Sequence, residues 1–251
     1  MTAPTLVPDV DIRVNGASLP LDTQTDIESV TVLDDLSALS MFTLVLYNWD
    51  QEKLQVSWSD SSLFAIGTEV QISLGFVGDL HKVMTGEITS LEPTFTADEP
   101  PMLTVRGYDH RHRLARDRKT RTFSRMKDSA IVSQVARGAG LRAQVKDTGT
   151  ILDYVVQHNQ TDLEFLQKRA QLIGYEVYVR EKVLYFQPPQ HGGRASATLQ
   201  IGQDITEFTP RLRSLGQVGE MTVRGWDVKE KKVIVGTAKV GQESTTMGGE
   251  S

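Results

Sequence analysis

Residues 157–186 read QHNQTDLEFLQKRAQLIGYEVYVREKVLYF, and this stretch decides the fold class. Thr161 and Glu164 stand at the spacing of a capping box, in which hydroxyl and carboxylate each satisfy an otherwise orphaned N–H. Leu163, Leu166, Ala170 and Ile173 come next at i, i+3, i+7 and i+10, one apolar stripe on a helix of about 13 residues. Gly174 ends that helix, because it adopts the left-handed conformation without a Cβ penalty. Tyr175, Val177 and Val179 then alternate with polar residues, Glu181-Lys182 turns the chain, and Val183 to Phe186 returns. The spacing therefore predicts a capped helix leading at once into a two-stranded hairpin. Glu164 caps, Leu163 and Leu166 pack and Gly174 stops, so the unit is structural.

Upstream the pattern is β. Val10, Ile12 and Val14 alternate before the turn signal Asn15-Gly16, and Val30 and Val32 keep a two-residue period within Ile27 to Leu33. Phe42, Leu44, Leu46 and Tyr47 form a near-continuous apolar strand, and Val70, Ile72 and Leu74 alternate between Gly67 and Gly75. Met84 to Leu91 and Met102 to Tyr108 supply two more strands. Strands with short turns over about a hundred residues predict a small barrel or sandwich. From His110 to Lys127 the chain is densely basic. Asp128-Ser129 then opens a short helix carrying Ile131, Val132, Val135 and Ala136, closed by Gly138 and Gly140. Downstream, Pro188-Pro189 and His191-Gly192-Gly193 read as a linker. Strands are expected again at Ala197 to Ile201, Ile205 to Leu212, Met221 to Trp226 and Lys232 to Val240, and the last residues, GQESTTMGGES, read as a frayed end or a cut.

Thr104-Val105-Arg106-Gly107-Tyr108-Asp109 recurs as Thr222-Val223-Arg224-Gly225-Trp226-Asp227, and Trp49-Asp50 closes another strand. The hexapeptides match at a shift of 118 residues. Asp26-Ile27 through Trp49-Asp50 matches Asp204-Ile205 through Trp226-Asp227 at a shift of about 177, which pairs whole strand-turn-strand units. Two related small barrels, one near each end of the chain, would produce this echo.

At 251 residues the chain is long enough for one large or two medium domains, and its 39% apolar and 24% charged content is that of a globular protein. The net charge of −5 makes no electrostatic case for nucleic acid or an anionic membrane. The chain has no cysteine, which excludes disulfides and thiolate metal sites and fits a reducing compartment. The N-terminus, MTAPTLVPDVDIRV, lacks the basic and apolar regions of a secretory signal, and no apolar run approaches the roughly 18 residues of a membrane span.

Four groups of residues are candidate sites. Arg106 to Lys127 holds nine Lys/Arg, enough to attract phosphate. It has no aromatic residue between Tyr108 and Phe123 for base stacking, and a solvated connector or a surface for an acidic subunit explains it as well. His110 and His112 suit one strand face, but His81, His158 and His191 are too scattered to complete a metal site. Glu87, Asp109, Asp153 and Glu164 are acidic without the pairing that hydrolysis needs, and GxSxG, HExxH and phosphate-loop patterns are absent. Trp49, Tyr108 and Trp226 each precede an Asp; the expectation is that the ring covers a barrel end while the Asp begins a turn. No catalytic, cofactor-binding or metal-ligating residue is assigned, and no cofactor is expected.

Gln157-x-Asn159-x-Thr161-Asp162-Leu163-x-Phe165-Leu166-x-x-Arg169-Ala170-x-x-x-Gly174-Tyr175, with Leu184-x-Phe186 after it, resembles the phage late-control protein D family, which includes the N-terminal part of VgrG spike proteins and baseplate hubs. Gln-Thr-Asp stands here where that family often carries Glu-Ser-Asp, which keeps the capping hydroxyl. Pro8-x-Val10-x-Ile12-x-Val14-Asn15-Gly16 is similar to its first hairpin, and Gly67-Thr68-Glu69-Val70 and Thr85-Gly86-Glu87-Ile88 to its mid-barrel strands. Val223-x-Gly225-Trp226-Asp227, with Lys231 and Ile234-x-Gly236, is similar to the start of its second barrel.

The resemblance implies a mostly β, α+β chain of two related small β-barrels with an inserted helix-hairpin module. Residues 1–118 would be the first barrel, 119–196 the insert, and 197–251 the start of a second, incomplete barrel. It also implies a trimeric hub with pseudo-six-fold symmetry that caps the inner tube of a contractile injection machine, nucleates its assembly and helps puncture the target envelope. The implied partners are two further copies of the chain (a homotrimer), a hexameric inner tube protein, baseplate proteins, a spike tip protein and effector cargo. No nucleic acid, no stable membrane insertion and no enzymatic activity are expected, and assembly would occur in the bacterial cytoplasm without a signal peptide. The alternatives are a hub whose spike bears a peptidoglycan hydrolase in a further C-terminal part, and a two-domain nucleic-acid-binding protein.

Overall fold

A computed structural model of the chain describes residues 7–35, 38–189, 198–202, 205–210 and 219–239. The chain divides into two compact units, Met1–Pro188 and Pro189–Ser251. The division falls within the Pro188-Pro189 dipeptide read as a linker, whereas His191-Gly192-Gly193 lies outside the described residues. The described structure is mostly β. No helix among the described residues is long and apolar enough to cross a membrane.

The first unit opens with β1 (Pro8–Val14) and β2 (Ala17–Ser18), joined through Asn15 and Gly16 at φ 51° and 82°. Positive φ at both central residues gives a turn whose twist matches that of the strands, which explains why Asn-Gly stands there. A short helix, α1 (Leu21–Asp26), leads into β3 (Ile27–Leu33), β4 (Met41–Tyr47), β5 (Glu69–Phe76), β6 (Asp79–Thr94) and β7 (Met102–Asp109). These strands form one antiparallel sheet in the order β2-β1-β5-β6-β7-β4-β3. Alternate residues point into one core: Phe42, Leu44 and Leu46 from β4, Val70 and Ile72 from β5, Leu103 and Val105 from β7, all fully buried. Each such side chain contributes about 1.5–3 kcal/mol by leaving water.

The sheet is not closed among the described residues. Its edges are β2 and β3, and the connection between them is the helix α1 rather than a hairpin turn, so they are not brought into register. Residues outside the strands complete the core instead. Phe64 is fully buried, Trp58 and Leu63 pack beside it, and the Trp58 indole donates to Asp26 at 2.8 Å. Register shifts on β6, between Ile72 and Ser73 of β5 and between Ile88 and Ser90, bend this long strand around the core.

A second core lies in the same unit. α2 (His112–Ala115) leads to β8 (Arg118–Met126), α3 (Asp128–Gly138), β9 (Arg142–Val145), β10 (Leu152–Thr161), α4 (Asp162–Leu172), β11 (Glu176–Arg180) and β12 (Val183–Gln187). β8 pairs with β10, while β11, β12 and β9 form a second small sheet in which β9 and β12 run parallel. Ile131, Val132, Val135 and Ala136 of α3 are buried as the periodicity predicts, and the Thr161–Glu164 capping box is formed. The stripe on α4 is shifted: Phe165, Leu166 and Ala170 are buried, whereas Ile173 is exposed. Gly174 has φ 66° and Glu181, in the hairpin turn, φ 55°. The expected boundary at 118/119 falls at the first residue of β8, and Leu114 of α2 already packs into this second core.

In the second unit β13 (Glu220–Asp227) and β14 (Lys232–Lys239) form an antiparallel hairpin. Of the strands expected at Ala197 to Ile201 and Ile205 to Leu212, the described residues show only a bridge between Ile201 and Ile205; Ala197, Asp204, Arg211 and Leu212 lie outside them.

Candidate functional site

Glu69 and Glu87 sit directly opposite each other on β5 and β6. Like charges so placed repel across an antiparallel pair, so cations from elsewhere must offset them. Lys182, in the β11–β12 turn, places its Nζ 2.5 Å from Glu69 Oε2. Arg113 of α2 binds both oxygens of Glu87, with Nε 3.1 Å from Oε2. Burial alone would raise the Glu87 pKa; the Arg113 hydrogen bonds and charge outweigh it and hold the carboxyl below the ordinary range. A carboxylate held ionised in this way is a hydrogen-bond acceptor and a poor proton donor.

His110 lies between the two carboxylates. It is fully buried, with Nε2 3.5 Å from Glu69 Oε2 and 3.8 Å from Glu87 Oε1, and neither ring nitrogen has a hydrogen-bond partner. Burial lowers its pKa, with Glu87 pulling the other way and Arg113 reinforcing the shift. His112 is satisfied instead. Its Nδ1 is 2.7 Å from the Asp109 carbonyl, which only accepts, so Nδ1 carries the hydrogen, and Nε2 is 2.6 Å from the Arg116 guanidinium. Beside this cluster opens a polar cleft of about 440 Å³, lined by Gly67, Glu87, Arg113, Arg116, Asp117, Lys119, Gly138 and Ala139. Among the described residues no three His, Asp or Glu side chains are arranged to hold a metal ion. Cations already occupy the carboxylates nearest His110.

The basic run is neither a loop nor a bare cationic face. It forms the end of β7, then α2 and β8, and carboxylates of the same unit meet its cations. Arg106 pairs with Glu92 at 3.1 Å, Arg118 with Glu164 at 2.9 Å, Lys119 with Asp162 at 2.6 Å, Arg121 with Asp162, and Lys127 with Asp147 at 2.9 Å. Asp162 is 2% exposed and is reached by Gln157 as well, at 3.0 Å. Asp128, at the start of α3, forms a two-point pair with Arg169 of α4 at 2.6 and 2.8 Å. Sequence reasoning missed Glu69, Lys182, Asp128 and Asp162 as partners. Only the register of β5 on β6 gives a signal for the first of them.

Two of the other acidic candidates have different surroundings. Asp153 is exposed, and Glu164 caps α4 and pairs with Arg118. The three aromatic-Asp strand ends share one local device. Asp50 accepts from the backbone N–H of Glu52 and Lys53 at 3.0 Å, Asp109 from that of Arg111 at 2.8 Å, and Asp227 from those of Lys229 and Glu230 at 2.9 and 3.0 Å. Each Asp thus begins a turn. The rings are another matter, since Trp49 and Trp226 are both exposed.

Across residues 5–250 the chain matches the family described as the Alg8 N-terminal domain. The chain belongs to the Alg8 N-terminal domain family. That family is not the late-control protein D family to which the motifs pointed; what agrees with the expectation is the fold shared with solved tail proteins. This Alg8-family chain is similar to the 43 kDa tail protein of prophage MuSo2 from Shewanella oneidensis, with a TM-score of 0.66 at 16% identity over 94% of this chain and 70% of that one. The tail protein from Neisseria meningitidis MC58 gives 0.64 at 15% identity, over 95% and 69%. An Escherichia coli component of the type VI secretion system, itself similar in structure to the T4 bacteriophage tail proteins gp27 and gp5, gives 0.54 at 16% identity, over 87% and 56%. At these identities the likeness is one of fold. No curated protein matches the Alg8-family chain.

Proposed function

We propose that this chain is the hub component of a contractile injection machine, a non-enzymatic part that caps the inner tube, nucleates its assembly and is driven into the target envelope. The observation that carries this reading is the extent of the fold likeness: the matches to two tail proteins cover 94% and 95% of the chain. On this reading 1–118 and 197–251 are related barrel segments, 119–196 is inserted between them, and three copies assemble into a ring of six similar units. Trimer formation would also cover the open edges of β2 and β3, which an isolated sheet leaves unpaired. The partners are the inner tube protein, baseplate proteins, a spike tip and effector cargo, assembled in the bacterial cytoplasm.

Internal pairing of the basic run argues against a nucleic-acid role, because cations already held by carboxylates gain little from replacing counterions. The test is the mass of the full-length protein in solution, alone and mixed with its tube protein. A trimer that seeds tube growth is the expected result. A stable monomer that binds DNA in a salt-sensitive manner would overturn the reading.

A further inference from the structure

Polar groups hold the sheet core against the helix-hairpin core around one buried histidine. Glu181 and Lys182, the two residues of the β11–β12 turn, reach the sheet with opposite charges: Glu181 pairs with Lys82 of β6, and Lys182 with Glu69 of β5. His110 faces Glu69 from β5, Glu87 from β6, Arg113 from α2 and Lys182 from the turn, while His112 of α2 lies against Glu87, Nε2 to Oε2 3.2 Å. With His110 neutral, two carboxylates balance two cations. An imidazolium would add a third cation at a fully buried position, and one of the other two must then yield.

Geometry selects which one. Arg113 is bound to both oxygens of Glu87 and also donates to the Ala139 and Gly140 carbonyls, at 3.3 and 3.4 Å. Lys182 is 51% exposed, and solvent can take its ammonium at small cost. We propose that His110 is a proton-operated latch: its imidazolium takes Glu69 from Lys182 and releases the β11–β12 turn from the sheet. The remaining tie, Lys82–Glu181, lies between half-exposed side chains and is weak alone. Because burial disfavours the charged ring, the latch is closed at neutral pH and opens on acidification.

Hydrogen exchange of the full chain between about pH 7.5 and about pH 4.5, corrected for intrinsic rates, tests this. Amides of Glu176–Arg180 and Val183–Gln187 should exchange on the order of tenfold faster at the acid end, ahead of the sheet core. His110→Gln should abolish that acceleration. Lys182→Met, at a half-exposed site, should exchange fast at both ends, whereas Lys82→Met should keep the acid step. The proposal fails if the step survives in His110→Gln, if Lys182→Met keeps slow exchange at neutral pH and the full step, or if acid loosens the sheet core equally.

Discussion

Thr104–Asp109 and Thr222–Asp227 differ by one residue, Tyr108 against Trp226, and have different surroundings. Both are strands, and in both the closing Asp accepts backbone N–H groups to begin a turn. Val105 is fully buried, whereas Val223 is 62% exposed. A Cβ added at Gly107 would lie 2.3 Å from the Phe42 ring; one added at Gly225 would meet nothing within 4 Å. Strand and turn are properties of the hexapeptide. Burial is a property of what pairs with it, and among the described residues β7 has β4 and β6 where β13 has β14 alone.

The largest contrast should appear at the Asp. Asp109 also accepts from Arg111 Nε at 2.7 Å and from the Ser40 N–H at 3.0 Å, and Arg111 is only 6% exposed. Asp109→Ala therefore breaks a buried ion pair, a loss of at most about 3–5 kcal/mol. The Asp35 carbonyl and Ser40 hydroxyl, both still bound to Arg111, place it at the low end. Thermal unfolding should shift down by on the order of 10 °C. Asp227→Ala removes only a turn contact, about 0.5–1.5 kcal/mol, and should barely move the same transition. Equal shifts would mean that Asp109 is no more than a turn residue.

The glycines come next. Gly107→Ala drives a methyl into the Phe42 ring and to within 2.4 Å of the Glu87 carbonyl, so about 1–3 kcal/mol should be lost by denaturant unfolding. Gly225→Ala has open space and should be neutral or stabilise by about 0.4–1 kcal/mol through the unfolded chain. Phe42→Leu in the Gly107→Ala background should recover part of the loss. Recovery would locate the strain at the ring, and its absence would locate it at the carbonyl.

What was legible in the sequence was local. Asn15-Gly16, the Thr161–Glu164 box, Gly174 and the Glu181-Lys182 turn are short-range signals, and each takes its expected form. β8 and β10 were missed because their buried positions, Phe123, Val155 and Gln157, are sparse among polar residues. The charged junction was invisible for a different reason. Glu69 lies 113 positions from Lys182 and 41 from His110, and only the folded register brings the three together. For the same reason, spacing along the chain cannot show that Arg113 holds Glu87 beside His110 and His112.

The smallest effect is pH-dependent and separates the two hexapeptides by their C-terminal neighbours: His110-Arg111-His112 in one and Val228-Lys229-Glu230 in the other. His110 has a folded-state pKa below its ordinary value of 6.5, so as pH falls past that value the unfolded chain takes the proton first. Stability of the first unit therefore declines as pH drops below about 6.5 and levels off once the folded-state pKa is passed. Glu87 is also lowered, from an ordinary value of 4.5; its contribution is complete above that value and is lost as pH falls through the lower folded-state pKa. Acid should thus weaken the first unit in two stages, each with a slope of at most about 1.4 kcal/mol per pH unit. His110→Gln should remove the earlier stage and leave the later one. Val228 is 77% exposed, and no such stage should appear in the cross-strand amide signals of β13 and β14 tracked by NMR over the same range. A matching step there would mean that the second hexapeptide also adjoins a buried ionisable group, and that the two strand ends differ less than their surroundings indicate.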